Sequence, residues 1–140
     1  YTGKIDTYFG EKFGKLEYRS IEFEHETRKT QSYQDHAVVN YPGEEFPYTR
    51  IIEHKKFFGE EYQNLPITTI TREYSIAGGE PYYPVPNQEN RDLYEKYQKE
   101  AEKLEEQGIY FIGRLASYKY FNMNQAIRAA LDLYERLNKA

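Results

Sequence analysis

The sequence predicts an α+β fold, with an antiparallel β-sheet followed by a helix and a terminal strand-loop-helix unit. Three observations predict it. Up to about residue 75 the chain is a series of short β-like segments separated by turn residues, with no helical periodicity between them. Beyond that, two stretches carry apolar residues at spacings of three and four. Between them, Ile109-Tyr-Phe-Ile112 is a short apolar run bounded by Gly108 and Gly113, which suits a buried strand.

The elements follow in order. The chain opens in the middle of what reads as a strand, and the missing initiator Met suggests a piece of a longer protein. Arg19, Ile21, Phe23 and His25 alternate with Tyr18, Ser20, Glu22 and Glu24, the period-two pattern of a strand with one face buried. Ala37 to Tyr41 is an apolar run stopped by Pro42-Gly43. Tyr48 to Phe57 and Ile67 to Tyr74 read as two further strands, the second rich in β-branched Thr and Ile. From Ser75 to Asn87, paired glycines, three prolines and Tyr82-Tyr83 mark a restrained loop. A helix should follow, with Tyr94, Tyr97, Ala101 and Leu104 on one stripe, Asn90 as its cap and Gly108 at its end. After Gly113 a loop leads to a second helix with the stripe Met123, Ile127, Ala130, Leu131, Tyr134 and Leu137, and Asn122 and Gln125 have the spacing of a capping box. The expected division is a sheet domain over residues 1–87, and over 88–140 a helix plus a strand-loop-helix unit that belongs to another sheet.

Composition narrows the function classes. The 140 residues carry 19 Lys and Arg against 23 Asp and Glu, a net charge of -4 that argues against nucleic acid or an anionic membrane as partner. No cysteine is present, so disulfides, thiol catalysis and Cys-based zinc sites are excluded, and a reducing, cytoplasmic setting is expected. Apolar runs fall far short of the roughly 20 residues that cross a bilayer. With 16 Tyr, 8 Phe and no Trp, tyrosine dominates both the packing and the candidate chemistry.

His25, His36 and His54 lack any His-x-x-His spacing, so no metal is expected. No Gly-x-Gly-x-x-Gly or Gly-x-Ser-x-Gly occurs. What remains is anion chemistry. A buried strand leading through Gly113 into a capped helix aims backbone N–H groups at an anion, and Arg114 can add a bidentate phosphate contact; an ordinary strand-helix connection is the alternative. Alternation puts Arg50, Ile52 and His54 on one face of a strand and Thr49, Ile51 and Glu53 on the other. A partly buried Arg50 needs either a ligand phosphate or an internal carboxylate such as Glu73. Tyr82-Tyr83 and Tyr118 to Tyr120 place phenol hydroxyls in loops, where they either pack or donate to phosphate.

In this order, the blocks Tyr1-Thr-Gly-Lys-Ile-Asp-Thr-Tyr-Phe, Leu16-Glu-Tyr-Arg-Ser, Val38-Val-Asn-Tyr, Pro47-Tyr-Thr-Arg-Ile-Ile-Glu-His-Lys, Thr71-Arg-Glu-Tyr, Glu80-Pro-Tyr-Tyr-Pro-Val and Gly113-Arg-Leu-Ala-Ser-Tyr-Lys-Tyr-Phe-Asn-Met resemble the C-terminal part of bacterial-type UDP-galactopyranose mutase. The resemblance covers nearly the whole chain. It implies a flavoenzyme that interconverts UDP-galactopyranose and UDP-galactofuranose, a precursor of cell-surface galactofuranose polymers. Reduced FAD would act through an N5-sugar adduct, without net redox.

The same resemblance implies roles for residues. Arg50 matches the arginine that meets the substrate diphosphate, and Tyr83 and Tyr120 match tyrosines on the same diphosphate. Glu73 matches an acidic position near the site, with a supporting electrostatic role in catalysis. Gly113, Arg114, Asn122 and Met123 match positions that contact FAD. Asn122 departs from the family's usual Asp, keeping the hydrogen bonding and losing the charge. The Gly-rich FAD-binding region and the helical substrate-binding insertion of the family are absent, so the 140 residues alone are expected to be inactive and to pair with those domains of the parent. Surface left uncovered by them favours a homo-oligomer. Two other readings are an amine-oxidase-like flavin oxidoreductase fragment and a non-catalytic sugar-nucleotide-binding or interaction module.

Overall fold

A computed structural model describes residues 1–139; Ala140, the last residue of the expected 88–140 stretch, lies outside the described residues. The chain falls into two compact units, one formed by Tyr1–Arg19 with the stretch from Glu80 onward, the other by Ser20–Gly79. In the first of these, Ile5 and Leu16 share one core with Tyr97 and Ala101.

In the first unit, helical turn α1 (Ile5–Tyr8) stands where a strand was expected. Asp6 explains the turn: its buried carboxylate accepts the N–H of Thr7 at 3.0 Å and of Leu16 at 3.0 Å, closing the segment on itself. Helix α3 (Gln88–Glu105) is capped by Asn87, whose side chain accepts the Asn90 N–H at 2.7 Å. Asn90, expected as the cap, is instead buried inside the first turn and donates to the Val85 carbonyl and the Glu17 carboxylate. The helix ends as expected at Gly108, with φ of +76°. The Gly108 N–H reaches the Glu105 carbonyl at 2.9 Å and the Ile109 N–H reaches the Leu104 carbonyl at 3.1 Å, a Schellman closure.

Ile5, Leu16, Tyr97, Ala101 and Tyr118 form the core of this unit, ringed by Phe9, Tyr18, Leu93, Tyr94 and Phe111. Tyr97 is fully buried, and its hydroxyl donates to the Gly14 carbonyl at 2.7 Å while accepting the Phe13 N–H at 3.1 Å. Tyr97→Phe therefore leaves a donor and an acceptor unpaired and should cost about 1–2 kcal/mol. A lower denaturant midpoint at unchanged slope is the expected reading.

Ile109–Ile112, expected as a strand, forms no ladder. Beside the Ile109 N–H that closes the helix, its backbone bonds run to Tyr1: the Tyr1 nitrogen donates to the Tyr110 carbonyl at 2.7 Å and the Ile112 N–H reaches the Tyr1 carbonyl at 3.0 Å. An apolar run becomes a strand only where a neighbouring strand supplies its hydrogen bonds. Helix α4 (Met123–Lys139) forms as its periodicity predicts, and Gln125 accepts the Asn122 N–H at 2.8 Å. No residue of it is buried, and its apolar stripe faces outward, with Met123 86% and Tyr134 67% exposed.

The second unit is a sheet. Strand β1 (Tyr18–Arg28) begins in the first unit, where Tyr18 and Arg19 pair antiparallel with β5 (Tyr83–Pro84). It continues beside β4 (Thr68–Ala77), which pairs antiparallel with β3 (Arg50–Glu53), itself antiparallel to β2 (Val38–Asn40), giving the order β2-β3-β4-β1-β5. β3 is shorter than the expected strand over Tyr48 to Phe57. Its neighbour β2 has only three residues, and His54–Phe57 turns away as a 3-10 helix before the short α2 (Glu60–Gln63). His54 is thus off the strand that carries Arg50. On β1, Phe23 is 43% exposed and His25 is exposed, whereas Ser20 is buried. Alternation marks two faces without saying which is covered. On β3 the buried face is Ile51 and Glu53, packed beside Ile70 of β4.

Among the described residues, no helix is long and apolar enough to cross a membrane.

Candidate functional site

Register builds a group of candidate residues in the sheet unit. Asn40, Arg50 and Glu73 stand directly opposite one another across β2, β3 and β4. Strand residues in register place their side chains on one face, so the row is a consequence of the pairing. Arg50 Nε donates to Asn40 Oδ1 at 2.9 Å, and Arg50 Nη1 lies 3.5 Å from Glu73 Oε2. The Arg50 side chain remains 42% exposed while that of Glu73 is 10% exposed. The internal carboxylate partner considered for Arg50 is therefore present. It orients the guanidinium without enclosing it, and a half-exposed arginine fixed at two points keeps N–H donors for an incoming anion. Asn40 was missed in the sequence, although an amide closing the apolar run Val38-Val39 was a usable signal.

Two positions along β4 from Glu73, the Thr71 hydroxyl bridges two imidazoles, lying 2.7 Å from His25 Nδ1 and 2.5 Å from His54 Nε2. Spacing in the chain had kept these histidines apart, and only the β1, β4 and 3-10 arrangement joins them. Among the described residues, no group of three or more His, Cys, Asp or Glu side chains is arranged to hold a metal ion.

Glu53 is the unit's fully buried carboxylate and was also missed. It accepts the Thr68 hydroxyl at 2.7 Å and the backbone N–H groups of Tyr33 and Gln34 at 3.0 to 3.2 Å, and Lys56 Nζ lies 3.9 Å away. Burial pushes its pKa up, but the hydroxyl, the two amides and the lysine together hold it below the ordinary glutamate value. The effect is to fasten the β1–β2 connection to the strand that carries Arg50.

A separate group lies in the first unit. Tyr83 comes from β5, Arg114 from the turn after Gly113, and Tyr120 from the approach to α4. The rings of Tyr83 and Tyr120 stack at 5.6 Å and 21°. The Arg114 guanidinium carbon sits 5.2 Å from the Tyr83 ring centre and 4.9 Å from that of Tyr120, and Nη2 donates to the Tyr82 carbonyl at 2.8 Å. The structure thus joins Arg114, assigned to FAD by resemblance, with the two tyrosines assigned to the diphosphate. Arg114 Nε is buried with no hydrogen-bond partner among the described residues. Gly113 has a φ of +96°, a conformation that other residues rarely adopt, which explains the glycine before the turn. Beside Tyr120 opens a cleft of about 440 Å³ walled by Pro84, Pro86, Tyr94 and Tyr118, with Arg91 and Lys119 at its margin. Tyr118, considered in the sequence as a hydroxyl open to phosphate, is buried and hydrogen-bonded internally.

Asn122 and Met123 form the exposed start of α4. The Asn122 carbonyl accepts the Ala126 N–H at 3.0 Å, so the helix begins cleanly and its first N–H groups point away from its own backbone.

A family model for UDP-galactopyranose mutase matches residues 1–120. The chain is 36% identical to a dTDP-fucopyranose mutase of Escherichia coli, with 99% of this chain and 37% of that protein aligned. It is 40% identical to a probable UDP-galactopyranose mutase of Klebsiella pneumoniae over 94% of this chain and 34% of the other. It is 35% identical to a UDP-galactopyranose mutase of Mycoplasma genitalium over 98% and 35%. The chain spans about a third of the length of the curated relatives it matches.

Proposed function

Because this chain belongs to the UDP-galactopyranose mutase family, we propose that the protein carrying it interconverts the pyranose and furanose forms of a nucleoside-diphosphate hexose, UDP-galactose first among them. The observation that carries the reading is Arg50, held by Asn40 and Glu73 yet open to an anion. In this reading Arg50 stabilises the charge that grows on the departing diphosphate, where a preorganised donor acts most strongly. Tyr83 and Tyr120 donate phenol hydroxyls to the diphosphate oxygens. Glu73 keeps the guanidinium oriented and adds a supporting negative charge.

The family is generally flavin dependent, and bound reduced FAD would supply the nucleophile for the anomeric carbon without net electron transfer. The residues present fit an edge of that group. Arg114 Nε has no acceptor among the described residues, and the open N-terminus of α4 at Asn122 and Met123 favours negative charge. They hold no pyrophosphate cradle, since no Gly-x-Gly-x-x-Gly is present. Residues 1–87 then belong to the sheet domain of the parent, and residues 88–140 complete its FAD-binding domain. There Ile109–Ile112 gains the neighbouring strand it needs, and the stripe of α4 is covered. The 140 residues alone are inactive, and a cytoplasmic setting fits a chain with no cysteine.

A second substrate reading rests on the dTDP-fucopyranose mutase relative, which aligns over 99% of this chain. Both readings need the same diphosphate contacts and differ in the base, in the 2′-hydroxyl of the pentose and in the sugar's sixth carbon. The full-length protein, reduced and given UDP-galactose or dTDP-fucose separately, decides between them. We expect kcat/KM to favour UDP-galactose by at least about tenfold, roughly 1.4 kcal/mol of discrimination. The reverse preference would assign the protein to the deoxy sugar.

A further inference from the structure

We infer that Tyr118 is a positioning residue that sets Arg114 and Tyr120 against Tyr83, and that it does so through its hydroxyl. This rests on the reading of Tyr83 and Tyr120 as diphosphate contacts. Tyr118 has a φ of +45°, in the left-handed region where a bulky side chain is a genuine outlier. Such a residue persists only where its surroundings over-determine it. Here they do. The ring is buried, edge-on to Tyr18 at 5.3 Å and stacked on Tyr94 at 5.8 Å. Its hydroxyl donates to the Glu17 carbonyl at 2.6 Å and accepts the Val85 N–H at 3.2 Å.

Glycine or asparagine would suit the backbone at this position better, so the tyrosine is explained by the reach of its hydroxyl. That hydroxyl ties the turn to the start of β1 and to the residue after β5, the short strand that carries Tyr83. The turn itself is closed by the Ser117 N–H on the Gly113 carbonyl at 2.9 Å and the Lys119 N–H on the Arg114 carbonyl at 3.1 Å. A second phenol, Tyr18, donates to the Leu115 carbonyl at 3.4 Å and braces the same turn more weakly. Arg114 lies four residues before Tyr118 and Tyr120 two after it. Fixing Tyr118 therefore fixes both ends of the segment that meets Tyr83. Tyr118 touches no substrate in this account, because its hydroxyl is already used.

The test uses the full-length reduced flavoprotein, with UDP as the binding probe, and compares the wild type, Tyr118→Phe, Tyr120→Phe and the double variant. We expect Tyr120→Phe to weaken UDP binding about five- to tenfold, the loss of one hydrogen bond to an anion. Tyr118→Phe should do nearly the same, raising KM while kcat moves less than twofold. The double variant should bind no worse than about twofold below the weaker single variant, since a displaced Tyr120 has no hydroxyl contact left to lose. Effects that multiply, or wild-type UDP affinity in Tyr118→Phe when Tyr120→Phe is weakened, would overturn the inference. Should Tyr120→Phe bind UDP normally, the diphosphate reading fails, and a crystal structure of Tyr118→Phe decides the positioning role. Arg114 displaced from the two rings supports it, and an unchanged stack overturns it. If Tyr118→Phe does not fold, Tyr18→Phe takes its place and should weaken UDP about twofold; unchanged affinity there would count against the inference.

Discussion

Replacing Arg50 by Ala in the full-length protein should lower kcat/KM for the nucleotide sugar by about 10²- to 10³-fold, the usual cost of removing one preorganised donor from a developing oxyanion. The fold should lose only about 1 kcal/mol. The Arg50–Glu73 pair is half-exposed at the arginine, and its N···O separation of 3.5 Å is long. Arg50→Lys sharpens the test. It keeps a positive charge for Glu73 but loses the planar fork, so stability should recover while kcat/KM stays at least about tenfold low. Steady-state kinetics beside denaturant unfolding would show it. Full activity in Arg50→Ala would reduce the residue to an internal ion pair.

The second large effect is structural. Glu53→Ala strips the partner from the Thr68 hydroxyl and from the amides of Tyr33 and Gln34, and should cost about 3 kcal/mol, the range for breaking a buried charged network. The pH dependence has a definite sign. The folded-state pKa of Glu53 lies below the ordinary value of 4.5, so its contribution is fully present above that value. It is lost as pH falls through the lower folded value. Glu53→Gln should therefore be less stable than the wild type near neutrality, and the gap should narrow as pH falls below 4.5 and through the lower folded value. A gap independent of pH would mean that the carboxylate charge contributes nothing. Because Glu53 anchors the β1–β2 connection to β3, its loss should also weaken UDP binding through Arg50 three residues earlier.

Elements whose pattern is local were legible in the sequence. β2, β4, α3 and α4 follow from alternation, β-branched residues, spacings of three and four, and Gly108. Elements that depend on a partner were not. Ile109–Ile112 has strand composition but no ladder partner among the described residues, and β3 ends at Glu53, past the last residue paired with β2. The cap of α3 was displaced by three residues because Asn87 and Asn90 are chemically equivalent; burial of Asn90 against Val85 and Glu17 decided the choice. Burial also could not be read from alternation on β1, where Phe23 points outward and Ser20 inward. In the site, the Arg50–Glu73 pair was anticipated from charge alone, since a partly buried guanidinium needs a carboxylate. Asn40 needed the strand register. The contact of Arg114 with Tyr83 and Tyr120 needed β5 and the turn after Gly113 to meet, and no spacing in the chain reports that.

The account stands most directly on one measurement, the incubation of the full-length protein, with dithionite-reduced FAD, and UDP-galactofuranose, with both sugar nucleotides followed by chromatography and the flavin spectrum followed throughout. It predicts conversion to UDP-galactopyranose over many turnovers while the flavin stays reduced. No conversion of either UDP-galactofuranose or dTDP-fucofuranose, or conversion that consumes one reduced flavin per sugar, would contradict it.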